Sequence, residues 1–250
     1  MPVFTSDGLT LNYIDEGEGE PVLLLHGFAS NLSMNWVGTG WVQALVKAGR
    51  RVIAFDHRGH GASDKLYDEA RYTIGHMAGD AVALLDHLGI ETADLIGFSM
   101  GARVAALIAI RQPERARSLV IGGMGARLFG GASKSDAIAE ALEAPSRDDV
   151  TDPYARTFRV FAEATKSDLK ALAAVIRSPR LPLTREMLRE LSCPVVVAVG
   201  SEDVVAGDPR ELAAAIPGAQ VLDIPGRDHN RSVGDKVFKD GVLKFLATRP

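Results

Sequence analysis

The sequence predicts a single α/β domain built on a mainly parallel sheet. Segments typical of strands alternate with segments of helical periodicity along most of the chain. The pentapeptide GFSMG, at residues 97–101, joins one such apolar strand to an alanine-rich helix. Between about residues 122 and 192 the alternation stops and only helical patterns continue. These three observations predict an α/β core that carries a small helical insertion.

The strands and helices predicted before this insertion follow each other in regular order. Strands are predicted over 9–15, 21–25, 51–55, 93–96 and 118–121 from their apolar and β-branched content. Helices are predicted over 41–48, 72–88 and 102–110 from apolar residues at helical spacing and, for the first two, from the glycine that follows. The first turn after a buried strand, HGFAS, lacks the three-glycine pattern of dinucleotide-binding folds.

The insertion is predicted to be helical because its apolar residues recur on helix faces. One face carries Tyr154, Phe158, Phe161 and Thr165, and a second face lies within residues 169–176. The alternation then returns, with strands predicted over 194–199 and 220–224 and helices over 209–215 and 233–246.

Composition and charge exclude several classes of protein. A chain of 250 residues with 46% hydrophobic and 24% charged residues is typical of one globular domain. The net charge of −4 argues against a nucleic-acid partner. The only cysteine, Cys193, allows no intrachain disulfide and is predicted to be a buried small residue. Without an 18-residue apolar run or a signal-like start, we expect no membrane association and a cytoplasmic location.

The pentapeptide predicts a nucleophile. A G-x-S-x-G turn between a strand and a helix holds its serine in a strained conformation and presents the hydroxyl at the tip of the sheet. Ser99 occupies that position. Because a serine hydroxyl is a weak nucleophile at neutral pH, it needs a neighbouring base and an acid that orients the base.

The base and the acid follow from their order along the chain. In such folds the acid and the histidine come after the serine, and His229 is the only histidine downstream of Ser99. Asp203 follows the strand predicted over 194–199 and is the preferred acid. Glu202 and Asp208 are nearby competitors, whereas Asp228 is adjacent to the histidine and too constrained to reach its ring. The alternative acid position, residues 122–125, holds no carboxylate.

Acyl transfer also requires two backbone N–H donors for the oxyanion. One is expected from Met100, directly after the serine. The other is expected from Phe28, in the HGFAS loop after the strand predicted over 21–25. His26, in the same loop, is expected to be a structural hydrogen-bonding residue.

Five ordered motifs resemble the α/β-hydrolase fold over nearly the whole chain. They are HGF at 26–28, DHRGHGASD at 56–64, GFSMG at 97–101, GSED at 200–203 and GRDH at 226–229. The resemblance implies an eight-stranded, mostly parallel sheet flanked by helices, with a cap at 125–190 inserted after the sixth strand. It also implies the triad Ser99, Asp203 and His229, and a structural role for the turn at 56–64.

The chain differs from some members of this superfamily and is similar to others. Haloalkane dehalogenases and epoxide hydrolases resemble this pattern but carry aspartate where Ser99 stands, and the HGGG loop of hormone-sensitive-lipase-like esterases is absent. The HGF loop and the Ser-Met pair are most similar to small bacterial carboxylesterases, enol-lactonases and cofactor-free haloperoxidases or perhydrolases.

The expected activity is hydrolysis of a small-molecule ester with a small to medium acyl group through an acyl-enzyme. A lactonase, a C–C bond hydrolase, a perhydrolase and a non-catalytic ligand-binding protein are the alternatives. No metal-ligand spacing occurs in the sequence, so we expect no metal and no cofactor. The position of the motifs in the fold predicts a substrate pocket, although helix packing is an equal explanation for its two cap aromatics. The expected pocket residues are Phe28, Met100, Met124, Phe158, Phe161, Val204 and Val205.

Overall fold

Eight strands form one sheet in the computed structural model, which describes residues 1–130, 135–179 and 182–249. The strands are β1 (Val3–Ser6), β2 (Leu9–Glu16), β3 (Glu20–Leu25), β4 (Arg50–Phe55), β5 (Ala93–Phe98), β6 (Ala116–Gly122), β7 (Val195–Gly200) and β8 (Gln220–Ile224). Their order across the sheet is β1-β2-β4-β3-β5-β6-β7-β8. Strand β2 pairs antiparallel with β1 and β4, and the other neighbours pair in parallel. The eight-stranded, mostly parallel sheet is therefore confirmed.

Ten α-helices lie in the described part of the chain. They are α1 (Trp41–Lys47), α2 (Ile74–His87), α3 (Met100–Arg111), α4 (Ser135–Glu143), α5 (Pro153–Ala164), α6 (Leu169–Arg177), α7 (Arg185–Arg189), α8 (Pro209–Ala213), α9 (His229–Ser232) and α10 (Lys236–Thr248). No helix among these described residues is long and apolar enough to cross a membrane.

The two faces of the sheet bury different helices because side chains alternate along each strand. On β3, Leu23 and Leu25 belong to the apolar cluster that contains residues of α2 and α3. Val22 and Leu24 belong to the cluster that contains residues of α1 and α10. The sheet is thus covered on both faces, which explains why its parallel strands are continuous apolar runs in the sequence.

Helices α4 to α7 follow β6 and precede β7. Residues of α4, α5 and α6 share a third apolar cluster that includes Ala29 and is packed against Phe28. The range 125–190 predicted as a cap contains these helices, and its residues 131–134 and 180–181 lie outside the described residues.

Local capping accounts for two helices that begin later than predicted. The helix predicted from residue 72 begins at Ile74, because the Thr73 side chain accepts the N–H of His76 at 3.2 Å. The helix predicted from residue 233 begins at Lys236, because Asp235 accepts the N–H of Val237. The pattern analysis missed β1, a four-residue strand with only two buried positions.

The register of the parallel strands brings their carboxyl ends to one edge. Leu25 of β3 pairs with Phe55 of β4 and with Gly97 of β5. Gly122 of β6 pairs with Phe98 of β5 and with Ala198 of β7. The loops after β3, β5 and β7 therefore meet, and in α/β sheets this is where ligands bind.

Candidate active site

Ser99 occupies a strained turn between β5 and α3. Its φ and ψ are 54° and −112°, a conformation that favours glycine. The turn also needs Gly101, since a Cβ there would overlap the carbonyl oxygen of Leu25 on β3. The Ser99 N–H donates to the Gly122 carbonyl at 2.8 Å. The backbone thus fixes Ser99 in a strained turn at the junction of β5 and α3.

His229 lies beside this hydroxyl. It is the first residue of α9, and its Nε2 is 3.1 Å from the Oγ of Ser99. Its Nδ1 lies 2.7 Å from Oδ2 of Asp203. Because the carboxylate can only accept a hydrogen bond, Nδ1 carries the proton and Nε2 is left to accept the proton of Ser99.

Asp203 is held by the backbone as well as by the histidine. Its Oδ1 accepts the N–H groups of Val205 and Ala206 at 2.8 and 2.9 Å. Its side chain is completely buried, whereas that of His229 is 18% exposed. A Cβ at Gly200 would overlap the carbonyl oxygen of Arg227, so glycine at the end of β7 lets the histidine loop come close.

The competing carboxylates do not orient the histidine. Glu202 is exposed. Asp208 caps α8 by accepting the N–H of Arg210 at 2.8 Å, and Asp228 caps α9 by accepting the N–H of Arg231 at 2.8 Å. Of the acids considered in the sequence, Asp203 is the one that the structure brings to His229.

The two residues expected to supply oxyanion donors, Phe28 and Met100, lie close to Ser99. Met100 is the first residue of α3, and the N–H groups of the first helical turn have no acceptor within the helix. Phe28 follows Gly27, whose position would place a Cβ 3.5 Å from the Cβ of Ser99. Phe28, Met100 and Ser99 line the same cavity, and the donation of their N–H groups to an oxyanion stays a prediction.

Three histidines lie buried beneath the loop that carries Phe28. The Nδ1 of His26 donates to the Gly27 carbonyl at 2.8 Å, and its Nε2 accepts the N–H of His57 at 3.0 Å. Burial lowers the pKa of His26 to about 4 and the pKa of His60 to about 3. These rings are therefore neutral near pH 7, and His26 ties the loop after β3 to the loop after β4.

Two cavities meet at Ser99 and His229. The first cavity, of about 160 Å³, extends among side chains of α2, α3, α4 and α6, including Met77, Ile138 and Ile176. The second cavity, of about 290 Å³, extends along the loop between β3 and α1 and toward α9. Phe28 and Phe158 line both cavities. The candidate site thus has two chambers that share Ser99 and His229.

Most of the residues expected in the pocket line these cavities, and Val204 does not. Met100 and Met124 line the first cavity, Phe161 lines the second, and Phe28, Phe158 and Val205 line both. The expectation for Val204 was wrong, because this side chain is 85% exposed. The turn in which Asp203 holds the N–H groups of residues 205 and 206 directs Val204 toward solvent.

Sequence reasoning missed several cavity residues. Tyr72, Ile74 and Met77, around the start of α2, were assigned to a helix face and not to a site. Ile138 and Ile176 of α4 and α6 also line the first cavity. A helix face turned toward a cavity has the same periodicity as one turned toward the core, so the pattern carries no signal that separates the two.

Among the described residues, no group of three or more His, Cys, Asp or Glu side chains could hold a metal ion.

Comparison with known proteins identifies relatives of this chain. The family model of the alpha/beta hydrolase fold matches residues 20–125. BpoC of Mycobacterium tuberculosis, a candidate non-heme bromoperoxidase, is 30% identical over 270 aligned positions that cover 96% of this chain and 98% of that protein. The 2-hydroxymuconate semialdehyde hydrolase of Pseudomonas sp. strain CF600 is 39% identical over 137 residues, which cover 55% of this chain and 45% of that enzyme.

A solved structure shows the same fold over the full chain. The enol-lactonase of Burkholderia xenovorans LB400 superposes with a TM-score of 0.83 at 26% identity, covering 98% of this chain and 100% of that one. The mycobacterial relative is matched over almost its entire length, and the sheet order and ordered motifs agree with these likenesses. The chain therefore belongs to the α/β-hydrolase fold family, and its relatives include hydrolases.

Proposed function

We propose that the protein is a serine hydrolase that cleaves carboxylic esters of small to medium acyl groups through an acyl-enzyme. The observation that carries this proposal is the chain of hydrogen bonds from Ser99 through His229 to Asp203, with distances of 3.1 and 2.7 Å. Such a chain supplies a nucleophile, a base and the acid that orients the base. Two cavities reach the serine, so both sides of an ester bond have room.

The first half of the reaction forms the acyl-enzyme. Ser99 Oγ attacks the ester carbonyl while His229 Nε2 takes its proton, and Asp203 stabilises the imidazolium that results. The N–H groups of Phe28 and Met100 bind the oxyanion of the tetrahedral intermediate. Each such donor is typically worth about 100- to 1,000-fold in rate. The C–O bond then breaks and His229 gives its proton to the leaving alcohol.

The second half releases the acid. Water enters where the alcohol has left, His229 takes one of its protons, and the hydroxide attacks the acyl carbonyl. When the intermediate collapses, His229 returns the proton to Ser99 Oγ. The enzyme is regenerated without a metal or an organic cofactor taking part in any of these steps.

The size and lining of the first cavity support a small or medium acyl group. Its volume of about 160 Å³ is bounded by apolar side chains such as Met77, Ile138 and Ile176, and also by Arg103 and Arg127. Burial of an apolar chain there is favourable by about 0.8 kcal/mol for each CH₂ group. A chain that outgrows the cavity gains nothing further, so activity should pass through a maximum.

The test is hydrolysis of p-nitrophenyl esters from acetate to decanoate by the native protein and by Ser99→Ala. We expect turnover that peaks at short or medium chains and is almost abolished in the variant. A variant that keeps most of the activity overturns the serine mechanism. An optimum at the longest chains overturns the proposed acyl size, and an inactive native protein overturns ester hydrolysis as its function.

Lactone opening is a second candidate because the structure of the enol-lactonase superposes on nearly the whole chain with a TM-score of 0.83. A lactone is a cyclic ester, and the same three residues would open it, with the leaving alcohol remaining tethered to the acyl group. Competition between a lactone and p-nitrophenyl butyrate separates the two. A kcat/KM for lactones well above that for open-chain esters favours the lactonase.

A further inference from the structure

Arg103 is a buried arginine on the helix that follows the proposed nucleophile. It lies four residues after Ser99, on α3, and its backbone N–H donates to the Ser99 carbonyl at 3.4 Å. The residue is only 8% exposed. Arginine is rarely buried, because its charged group loses its hydration unless hydrogen bonds replace it. The position of this side chain therefore calls for a physical explanation.

The Arg103 guanidinium binds the turn that precedes α4. Its Nη1 donates to the Leu128 carbonyl at 3.0 Å, and its Nη2 donates to the carbonyls of Arg127 and Gly130. These carbonyls belong to the 3₁₀ turn Ala126–Phe129 and to the residue after it. A guanidinium presents five N–H groups in a rigid plane, so one side chain can hold several carbonyls in place at once.

The same turn also binds the loop after β7. The N–H groups of Gly125 and Arg127 both donate to the Ala206 carbonyl, at 2.9 and 3.1 Å. A Cβ at Gly125 would lie 2.4 Å from the carbonyl oxygen of Gly207, so the glycine lets the two backbones come this close. The turn and the loop are thus packed backbone against backbone.

Ala206 connects this contact to the carboxylate of Asp203. The residue is completely buried. Its carbonyl accepts the two N–H groups of the turn, and its own N–H donates to Asp203 Oδ1 at 2.9 Å. The other oxygen of Asp203 lies 2.7 Å from His229 Nδ1. A short path of hydrogen bonds therefore leads from the Arg103 guanidinium to the residue that orients His229.

We propose that Arg103 is a positioning residue, which holds the turn at 126–130 and thereby fixes the orientation of Asp203 toward His229. The inference rests on the proposed serine mechanism. Because Arg103 belongs to the helix that starts directly after Ser99, it sets the loop of the acid relative to the nucleophile. A displacement of about 1 Å within a catalytic site can lower the rate by about 100-fold, so a residue that touches no reacting atom can still control turnover.

Arg103→Met removes every side-chain N–H donor and keeps an unbranched side chain. We expect kcat for p-nitrophenyl butyrate to fall by about 10- to 100-fold, with a change in KM of less than about threefold. Arg103 also lines the first cavity, and loss of a direct contact with the substrate would instead raise KM. Titration with a p-nitrophenyl phosphonate, which reacts once with each active Ser99, counts the folded sites and corrects kcat for unfolded protein.

The hydrogen bond between His229 and Asp203 is observed directly by the proton NMR signal of His229 Nδ1–H in the free enzyme. A proton held between an imidazole and a carboxylate resonates far downfield and exchanges slowly with water. We expect this signal to move upfield or to broaden in Arg103→Met, because a displaced carboxylate binds the proton less well. Asp203→Asn, which lacks the carboxylate, assigns the signal. The measurement needs no substrate.

Arg159→Met is the matched control. Arg159 is 5% exposed, and its Nη1 donates to the carbonyls of Ala141, Leu142 and Ala144 at distances of 2.9, 3.2 and 2.7 Å. It thus holds backbone carbonyls at the end of α4 in the same manner, but it lines neither of the two cavities. Its loss should lower the melting temperature and leave kcat and the downfield signal at their native values.

Arg103→Lys decides the question if Arg103→Met does not fold. Lysine keeps the charge but has one nitrogen, which cannot hold three carbonyls in the same arrangement, so we expect smaller changes of the same kind. A folded Arg103 variant that keeps the native signal or the native kcat overturns the inference. Equal changes in Arg159→Met overturn it as well. If the native protein hydrolyses no ester, the proposed function falls, while the NMR comparison still decides whether Arg103 positions Asp203.

Discussion

Asp203 contacts His229 through one carboxylate oxygen and the protein backbone through the other. Oδ2 lies 2.7 Å from His229 Nδ1, and Oδ1 accepts the N–H groups of Val205 and Ala206. The carboxylate is thereby oriented by backbone donors that do not depend on the histidine. The hydrogen bond to Asp203 keeps the ring proton on Nδ1, so Nε2 faces Ser99 without a proton.

Asp203→Asn should abolish most of the activity while the protein stays folded. The new amide can keep its oxygen on the two backbone N–H groups, which places its NH₂ group against His229 Nδ1. The ring must then carry its proton on Nε2, where it cannot accept the proton of Ser99. Loss of the correct tautomer typically lowers kcat by about 10⁴-fold, and ester turnover with a thermal melt measures both effects.

Asp208→Asn is the matched control for that substitution. Asp208 also accepts a backbone N–H, that of Arg210, but it caps α8 and does not contact His229. We expect native turnover and a loss of less than about 1 kcal/mol in the free energy of unfolding. Equal losses of activity in both variants would contradict the role given to Asp203.

Ser99→Gly should be more stable than Ser99→Ala by about 1 kcal/mol. The φ of 54° at residue 99 strains any residue with a Cβ by about 1 to 3 kcal/mol, whereas glycine adopts it freely. Glycine loses more entropy on folding, which offsets only about 0.4 to 1 kcal/mol of this gain. Urea unfolding of the two inactive variants measures the difference. A Gly variant less stable than the Ala variant would show that the turn stores no strain.

The sequence predicted the position of the triad because its order along the chain and the edge of a parallel sheet determine it. Ser99 and Asp203 follow strands that are fully buried, and His229 follows the shorter and less buried strand β8. Once these strands are parallel within one sheet, their carboxyl ends lie along the same edge. The distances between the three side chains then follow from loops too short to place them elsewhere.

The sequence did not predict the two cavities or the burial of Asn35. The cavity wall comes from helices whose apolar faces look like core faces, so Met77 and Ile176 carry no separate signal. Asn35 stands next to Trp36, and both side chains are buried because a π-helical turn lies there. One asparagine in a loop predicts no such turn. Val204 was placed wrongly for a related reason, since the direction of a loop side chain depends on hydrogen bonds that the pattern does not show.

Phe158→Ala should shift the preference of the enzyme toward longer acyl chains. The Phe158 ring lines both cavities and lies between Phe28 and Tyr154, with ring centroids 6.1 and 5.2 Å away. Its removal enlarges the space beside the acyl group and takes away contacts with short chains. We expect kcat/KM for p-nitrophenyl butyrate to fall by about tenfold, the equivalent of about 1.4 kcal/mol, and the value for longer esters to fall less.

Val160→Ala on the same helix is the control for Phe158→Ala. Val160 is 42% exposed and lines neither of the two cavities. Its truncation should leave the chain-length profile unchanged. The same shift in both variants would mean that loosening α5, and not the loss of the aromatic ring, alters the preference.

The stability of the protein should fall as the pH drops from about 6.5 to 4, and His26 should account for part of that fall. Burial lowers the pKa of His26 to about 4, whereas an unfolded histidine has a pKa of about 6.5. Between these values the unfolded chain binds a proton that the folded chain does not, so the free energy of unfolding decreases as the pH falls. This stabilisation is fully present above about pH 6.5. Near pH 4 it has been lost, and the free energy of unfolding is lower by about 3 kcal/mol.

His26→Gln tests this assignment, because its amide oxygen can replace Nε2 as the acceptor for the His57 N–H without taking up a proton. Urea unfolding from pH 4.5 to 7.5 should show that the slope of the free energy of unfolding against pH is smaller in the variant by about 1.4 kcal/mol per unit. At pH 7.5 the ring is neutral in both the folded and the unfolded state, so the difference in the free energy of unfolding between the two proteins is the packing cost of the substitution. This difference is subtracted from the values at lower pH. Parallel curves would mean that His26 does not take part in the acid sensitivity.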